Sequence, residues 1–374
     1  MQSIETARPL TNSYATKLDQ SRLRRILVKL ILVFVGIGVG LSLAEIIMRA
    51  FQIGHTNTVI RYNDRLLKLK PHIRFMNYLE NKNLVVTNNL GFHDHDRDAT
   101  SDNYRILFLG DSFLEGRQVP TESLFTVRLE KKFSQDGKKI ETINGGVPGT
   151  GTPHQYVLWK EFFTPNIKFD HVVLCFNIGN DLRDNSLDLA TSDSLFYVDS
   201  QGNILETGNK PGLLKQTVNH VRDHSVLINT LYEGAYRVKQ SLQAEAEEDI
   251  ATEQTQVGIA QPWQDSEQGT IALIRKWKSE LAGKNIPFDI VVIDRPGAIY
   301  NRFESDFMSK LDATCAQDRI DCLRLKLSSD PFESYSFDGI GLGHFNDRGH
   351  ELVANELYDY FKSRHAAIFD RPAR

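Results

Sequence analysis

Apolar residues follow two rhythms along this chain. From Tyr104 onward, short unbroken apolar runs alternate with stretches whose apolar residues recur at helical spacing. "YRILFLG" (104–110), "KIETIN" (139–144), "HVVLCFNIG" (171–179), "FDIVVID" (288–294) and "IDCLRLK" (320–326) read as strands. The third is almost wholly apolar, as a parallel strand buried on both faces is. The helical rhythm fills 121–134, "HQYVLWKEFF" (154–163) and "DRGHELVANELYDYFK" (347–362). Strand–helix alternation of this kind predicts a three-layer α/β/α sandwich around a mostly parallel sheet, over 104–365.

Two regions depart from that pattern. Between the third and fourth strands lies an insertion, about 186–284. It contains helical stretches and an acidic segment without aromatics, "QAEAEEDIATEQTQ" (243–256), whose composition predicts disorder. Ahead of the first strand, 49–103 is polar with mixed charge and reads as a connecting segment packing on the domain. Within it, "VVTNNLGFHDHDRD" (85–98) reads as a short strand followed by turns. "HDHD" (93–96) invites a metal reading. Adjacent side chains diverge unless the backbone turns sharply, so a solvated loop is expected there.

The longest apolar run is "ILVKLILVFVGIGVGLSLAEIIM" (26–48), long enough for a bilayer core. Lys17, Arg22, Arg24 and Arg25 precede it, which favours a cytoplasmic tail (1–25) and a body outside the cytoplasm. A cleaved signal peptide is the rival, since Ser42-Leu43-Ala44 has the form of a cleavage site. The apolar run continues past Ala44, which favours an uncleaved single-pass anchor.

The chain has 374 residues and a net charge of −4, so no overall basic field attracts nucleic acid. Its three cysteines are too few for a disulfide framework. Cys175 lies in an apolar run, and Cys315 and Cys322 can close a small loop in an oxidising compartment. There is no P-loop, no G-x-G-x-x-G in a strand–helix context and no G-x-S-x-G elbow. No cofactor and no metal are called for.

The chemistry gathers at the strand ends. "LGDSF" puts Ser112 where the first strand gives way to a helix, with its N–H and the helix dipole available to a developing negative charge. "NGGVPGTGT" (144–152) follows the second strand and lets the backbone approach a substrate. "GND" follows the third and offers the Asn180 amide. "SFDGIGLGHFNDRGH" (336–350) supplies an aspartate and a histidine just before the last helix. A nucleophile, a base, a group to orient the base and oxyanion donors are what acyl transfer requires.

These four blocks, in this order, resemble those of the SGNH (GDSL-type) hydrolase superfamily, in particular its membrane-anchored bacterial branch. The resemblance covers about 85–185 and 288–362 and implies a flavodoxin-like sandwich. It implies Ser112 as nucleophile, His344 as base, and Ser112, Gly149 and Asn180 as the oxyanion hole, with Gly146 as the fallback for Gly149. Asp111 would cap the helix and Asp181 would hold the strand-end loop. The family's aspartate normally stands two or three residues before the histidine. Here Asp338 stands six before His344. Either the glycine-rich loop brings Asp338 to the imidazole or the site works as a dyad. His350 is the rival base, although its helical position suits a partly packed surface residue.

The expected function is that of an anchored esterase removing acyl, chiefly acetyl, groups from envelope glycans or related small esters. The alternatives are an O-acyltransferase on an envelope polysaccharide using the same residues, and a non-catalytic scaffold that binds a glycan or a partner.

Overall fold

The computed structural model describes residues 13–78, 80–190, 194–207, 213–235, 238, 257–293, 302–327, 332–337 and 343–369. Asp338 and the acidic 243–256 segment lie outside them.

The chain opens with one helix, Ser13–Ala50, whose stretch Arg22–Ala50 is long and apolar enough to cross a membrane. Four short strands follow: β1 (Val59–Tyr62), β2 (Leu66–Leu69), β3 (Arg74–Asn77) and β4 (Asn83–Val86). They pair as two antiparallel hairpins, β1–β2 and β3–β4.

The central sheet is built from β5 (Tyr104–Gly110), β6 (Ile140–Gly146), β7 (His171–Asn177), β10 (Phe288–Ile293) and β11 (Asp321–Arg324). A third small hairpin, β8 (Phe196–Val198) with β9 (Ile204–Glu206), lies in the insertion. The sheet runs β11-β10-β7-β5-β6, and every neighbouring pair is parallel. Numbered by position in the sheet's own chain order, this is 5-4-3-1-2, the flavodoxin-like order with its switch point between β5 and β7.

Alternation along each strand divides the core. Leu107, Leu109, Val172, Leu174, Ile290 and Val292 face one side, packing with Trp159, Phe163, Leu273 and Trp277. Ile106, Phe108, Val173, Cys175, Val291 and Ile293 face the other, packing with Leu129, Phe133, Leu357 and Phe361. The first helical layer comes from 152–163 and the helices Val257–Ala282 and Arg302–Asp318. The second comes from Phe125–Gln135 and Asp347–Arg364. These are the three expected layers. The helix Val257–Ala282, inside the expected insertion (186–284), supplies part of the first.

Two further ties hold the chain together. Glu45, near the end of the N-terminal helix, accepts hydrogen bonds from Ser225 Oγ and from the Val226 and Leu227 N–H groups. It thereby caps the helical turn that begins there. Cys315 and Cys322 form a disulfide linking the end of helix Arg302–Asp318 to β11, and Cys175 is free and buried.

Candidate active site

Ser112 opens a four-residue helix, Ser112–Glu115, at the carboxyl end of β5. Asp111 caps it by accepting the Phe113 N–H at 2.9 Å, and its other oxygen accepts Asn177 Nδ2 at 3.0 Å. Asp111 thus ties the ends of β5 and β7 together across the switch point. At the C-terminus of this turn Gly116 adopts φ 63°, which closes the helix after one turn.

His344 comes to this serine from the far end of the chain. Its backbone is held by the Phe337 N–H and by the Ser336–Phe345 bridge. Asn346 then caps the closing helix by accepting the Gly349 N–H at 3.0 Å. The Phe113 ring packs on the imidazole, with centroids 4.7 Å apart. Nε2 of His344 is 2.8 Å from Ser112 Oγ. That is the hydrogen-bond distance a base needs to take the hydroxyl proton.

The group at the other imidazole nitrogen is Glu80. Its Oε2 lies 2.6 Å from His344 Nδ1, and its Oε1 accepts the His344 backbone N–H at 3.2 Å. Gln118 Nε2 donates to the same carboxylate at 2.9 Å. Burial pushes the Glu80 carboxyl up, but the bonds from His344 and Gln118 outweigh it and hold it below the usual carboxylate range. With Nδ1–H donated to Glu80, Nε2 is left to accept from the serine. Asp338, expected in this place, lies outside the described residues.

Glu80 sits between β3 and β4 at φ 62°, a conformation few non-glycine residues adopt. The neighbouring asparagines clamp it. Asn81 Nδ2 donates to the Gln118 carbonyl, and Asn83 Nδ2 donates to the carbonyls of Arg117 and Val119. The hairpin therefore rides on the turn that follows the serine helix. Nothing in the spacing of "NYLENKN" marks that carboxylate. The only hint is a glutamate flanked by amide side chains in a polar turn.

The expected oxyanion donors stand on adjacent strand ends. Gly149 follows β6 and is itself exposed, at φ 65° with open space where a Cβ would stand. The fallback Gly146 is spent otherwise. Its N–H donates to Asn144 Oδ1, and a Cβ there would come 2.3 Å from the Glu115 nitrogen. Asn180 follows β7; its Nδ2 lies 3.4 Å from Asp184 Oδ2 and its Oδ1 is buried without a hydrogen bond. Asp181 accepts the Asn177 N–H at 3.0 Å, holding the strand-end loop. Burial, and next the Asp111 carboxylate, push the Asp181 carboxyl well up.

Two expectations change. His350 is buried rather than at the surface. Its Nδ1 accepts the Phe125 N–H at 3.2 Å, so it is committed to packing rather than to proton transfer. In "HDHD", His93 and Asp94 are buried, not solvated. Asp94 forms a two-point ion pair with Arg97, at 2.7 and 2.9 Å, and His93 Nδ1 bonds the Glu115 carbonyl at 3.0 Å. A charged pair and a backbone acceptor make that burial tolerable.

No family model matches the chain, and no curated protein matches it in sequence. Solved structures do match. The alignment with a psychrotrophic esterase from a Pseudoalteromonas species covers 71% of this chain and 100% of that one, at 14% identity and a TM-score of 0.38. A lipase/acylhydrolase from Enterococcus faecalis gives 70% and 96%, at 15% identity and 0.38. An acetyl xylan esterase gives 68% and 98%, at 13% identity and 0.37. Sheet order, the succession of blocks at the strand ends and the contact between Ser112 and His344, all read from this chain, agree with what the resemblance to SGNH (GDSL-type) hydrolases implies.

Proposed function

We propose that this chain is a membrane-anchored serine esterase whose catalytic body lies outside the cytoplasm and removes acyl groups, chiefly acetyl, from envelope glycans or related esters. The observation that carries the reading is the unbroken line from Glu80 Oε2 through His344 to Ser112 Oγ, with contacts of 2.6 and 2.8 Å. It is the arrangement that activates a serine hydroxyl. The Cys315–Cys322 disulfide suits an oxidising compartment, and the apolar stretch Arg22–Ala50 suits an anchor. Acylated envelope glycans are the esters within reach of a body so placed.

In the reaction, His344 Nε2 takes the Ser112 proton as Oγ attacks the acyl carbon. The carbonyl electron pair moves onto oxygen, which the Ser112 and Gly149 N–H groups and the Asn180 amide hold. Glu80 keeps the imidazole in the required tautomer and stabilises the imidazolium that forms. His344 then gives its proton to the departing sugar oxygen, leaving the acyl group on Ser112. Water enters, His344 takes its proton, and a second tetrahedral intermediate collapses to the free acid as His344 returns that proton to the departing Ser112 Oγ.

The test uses the full chain in spheroplasts with an activated acetyl ester. Turnover is expected to vanish in Ser112→Ala and to be lost when protease is added outside. Undiminished turnover in Ser112→Ala contradicts the nucleophile, and activity protected from external protease contradicts the orientation.

A further inference from the structure

The edge of the sheet opposite Ser112 carries a second cluster. His171 is the first residue of β7, Asp289 the second of β10, and His365 follows the closing helix. Their Nε2, Oδ2 and Nε2 atoms lie within 4.8 Å of one another. Asp289 Oδ2 is 3.0 Å from His171 Nε2 and 2.7 Å from His365 Nε2. The mechanism uses none of them.

We propose that His171, Asp289 and His365 form a divalent metal site of the zinc class, with water completing the coordination. The first ground is that the contacts are close but not hydrogen bonds. All three atoms are buried, and none has a partner in acceptable hydrogen-bond geometry. Buried polar atoms left in that condition destabilise a fold, unless something between them is bound.

Charge is the second ground. Asp289 is 2% exposed, and its only ion-pair partners among the described residues are these two histidines. Asp321 stands in register with it on β11 and adds a second carboxylate nearby. A buried carboxylate needs a compensating cation.

The third ground is the surroundings. His171 Nδ1 lies 3.3 Å from the Tyr104 hydroxyl, which fixes the ring and turns Nε2 toward Asp289, as outer-shell partners of a metal ligand do. His365 is partly open to solvent. A recess of about 470 Å³ is lined in part by Asp321, in register with Asp289, and by Arg364, which precedes His365.

Two imidazoles and one carboxylate suit zinc or its first-row neighbours, not calcium or magnesium, which favour all-oxygen sets. Ligands about 2.0–2.2 Å from one zinc ion sit roughly 3–3.5 Å apart. The two contacts to Asp289, at 3.0 and 2.7 Å, need to lengthen by only a few tenths of an ångström. The ion would pin the end of the closing helix to the floor of the sheet, away from the acyl chemistry.

The test uses the untagged full chain in detergent, stripped with a chelator. Zinc is titrated by calorimetry and cobalt by its visible absorption. One ion per chain is expected, with a zinc-dependent rise in the thermal midpoint. Both signals should be lost in His365→Gln, a change at the partly open edge of the cluster, while that variant still unfolds cooperatively. Asp289→Asn is the second variant, expected to lose the ion in the same way. A wild-type chain that takes up no stoichiometric ion, or a His365→Gln chain that binds it equally well, overturns the proposal.

Discussion

Asn180 illustrates what one residue can show. Its amide stands at the end of β7, beside the strand that delivers Ser112, and in the resting chain it leans on Asp184 at 3.4 Å. Burial raises the Asp184 carboxyl to about 6. That weak bond can be exchanged for an oxyanion. Asn180→Ala is therefore expected to lower kcat on an activated ester by about 10²–10³-fold, as loss of one such donor does. A change in KM with kcat intact would remove Asn180 from the oxyanion hole. The places of Ser112 and Asn180 at strand ends and of His344 ahead of the closing helix are legible in the sequence because each lies inside a short local pattern. Glu80 is not. It meets His344 across 264 positions of chain, and no local periodicity encodes such a meeting. His350 was misjudged because a helical position does not say which face a helix buries. Gly116 and Phe125 close over it.

Among the elements, the five sheet strands were readable for a physical reason. β5, β7 and β10, inside the sheet, are buried on both faces and appear as largely apolar runs, while β6 and β11 stand at its edges and carry more polar residues. The hairpins β1–β2 and β3–β4 had no such mark. Each strand is four residues long, and half of β3 and β4 faces outward or is partly exposed. The β3–β4 hairpin is nonetheless the element that delivers Glu80. Asn83 holds it to the serine turn through two backbone carbonyls, at 3.1 and 2.6 Å. Asn83→Ala removes that clamp and leaves two buried acceptors short of a donor. The expected cost is about 1–3 kcal/mol of stability, with kcat falling more than KM rises. A variant that loses stability but keeps kcat would show that the clamp does not position Glu80.

At the scale of the whole molecule, buried histidines couple stability to pH. Burial lowers His93 to about 4, His154 to about 4 and His350 to about 3. Each is held neutral in the fold, so its contribution is complete above the ordinary value of 6.5 and is lost as pH falls below it. The unfolded chain takes up the proton that the folded chain refuses, at about 1.4 kcal/mol per pH unit and per histidine. Asp184, raised to about 6, works in the opposite sense, so the measurement is a difference. His350→Asn keeps an acceptor for the Phe125 N–H but cannot titrate. The stability advantage of the wild type over this variant is expected to shrink from neutral pH toward about 5. A constant difference over that range would contradict a neutral, buried His350.

Across the whole molecule, a carboxylate from ahead of the first sheet strand meets a base 264 positions further along the chain. That meeting is tested most directly by comparing kcat for Glu80→Gln and Asp338→Asn, measured side by side on an activated acetyl ester in full-length protein of equal thermal stability. Glu80→Gln removes the charge that orients His344 and is expected to cut kcat by roughly 10²–10⁴-fold, while Asp338→Asn stays near the wild type. Near-full turnover in Glu80→Gln together with collapse in Asp338→Asn would contradict the account.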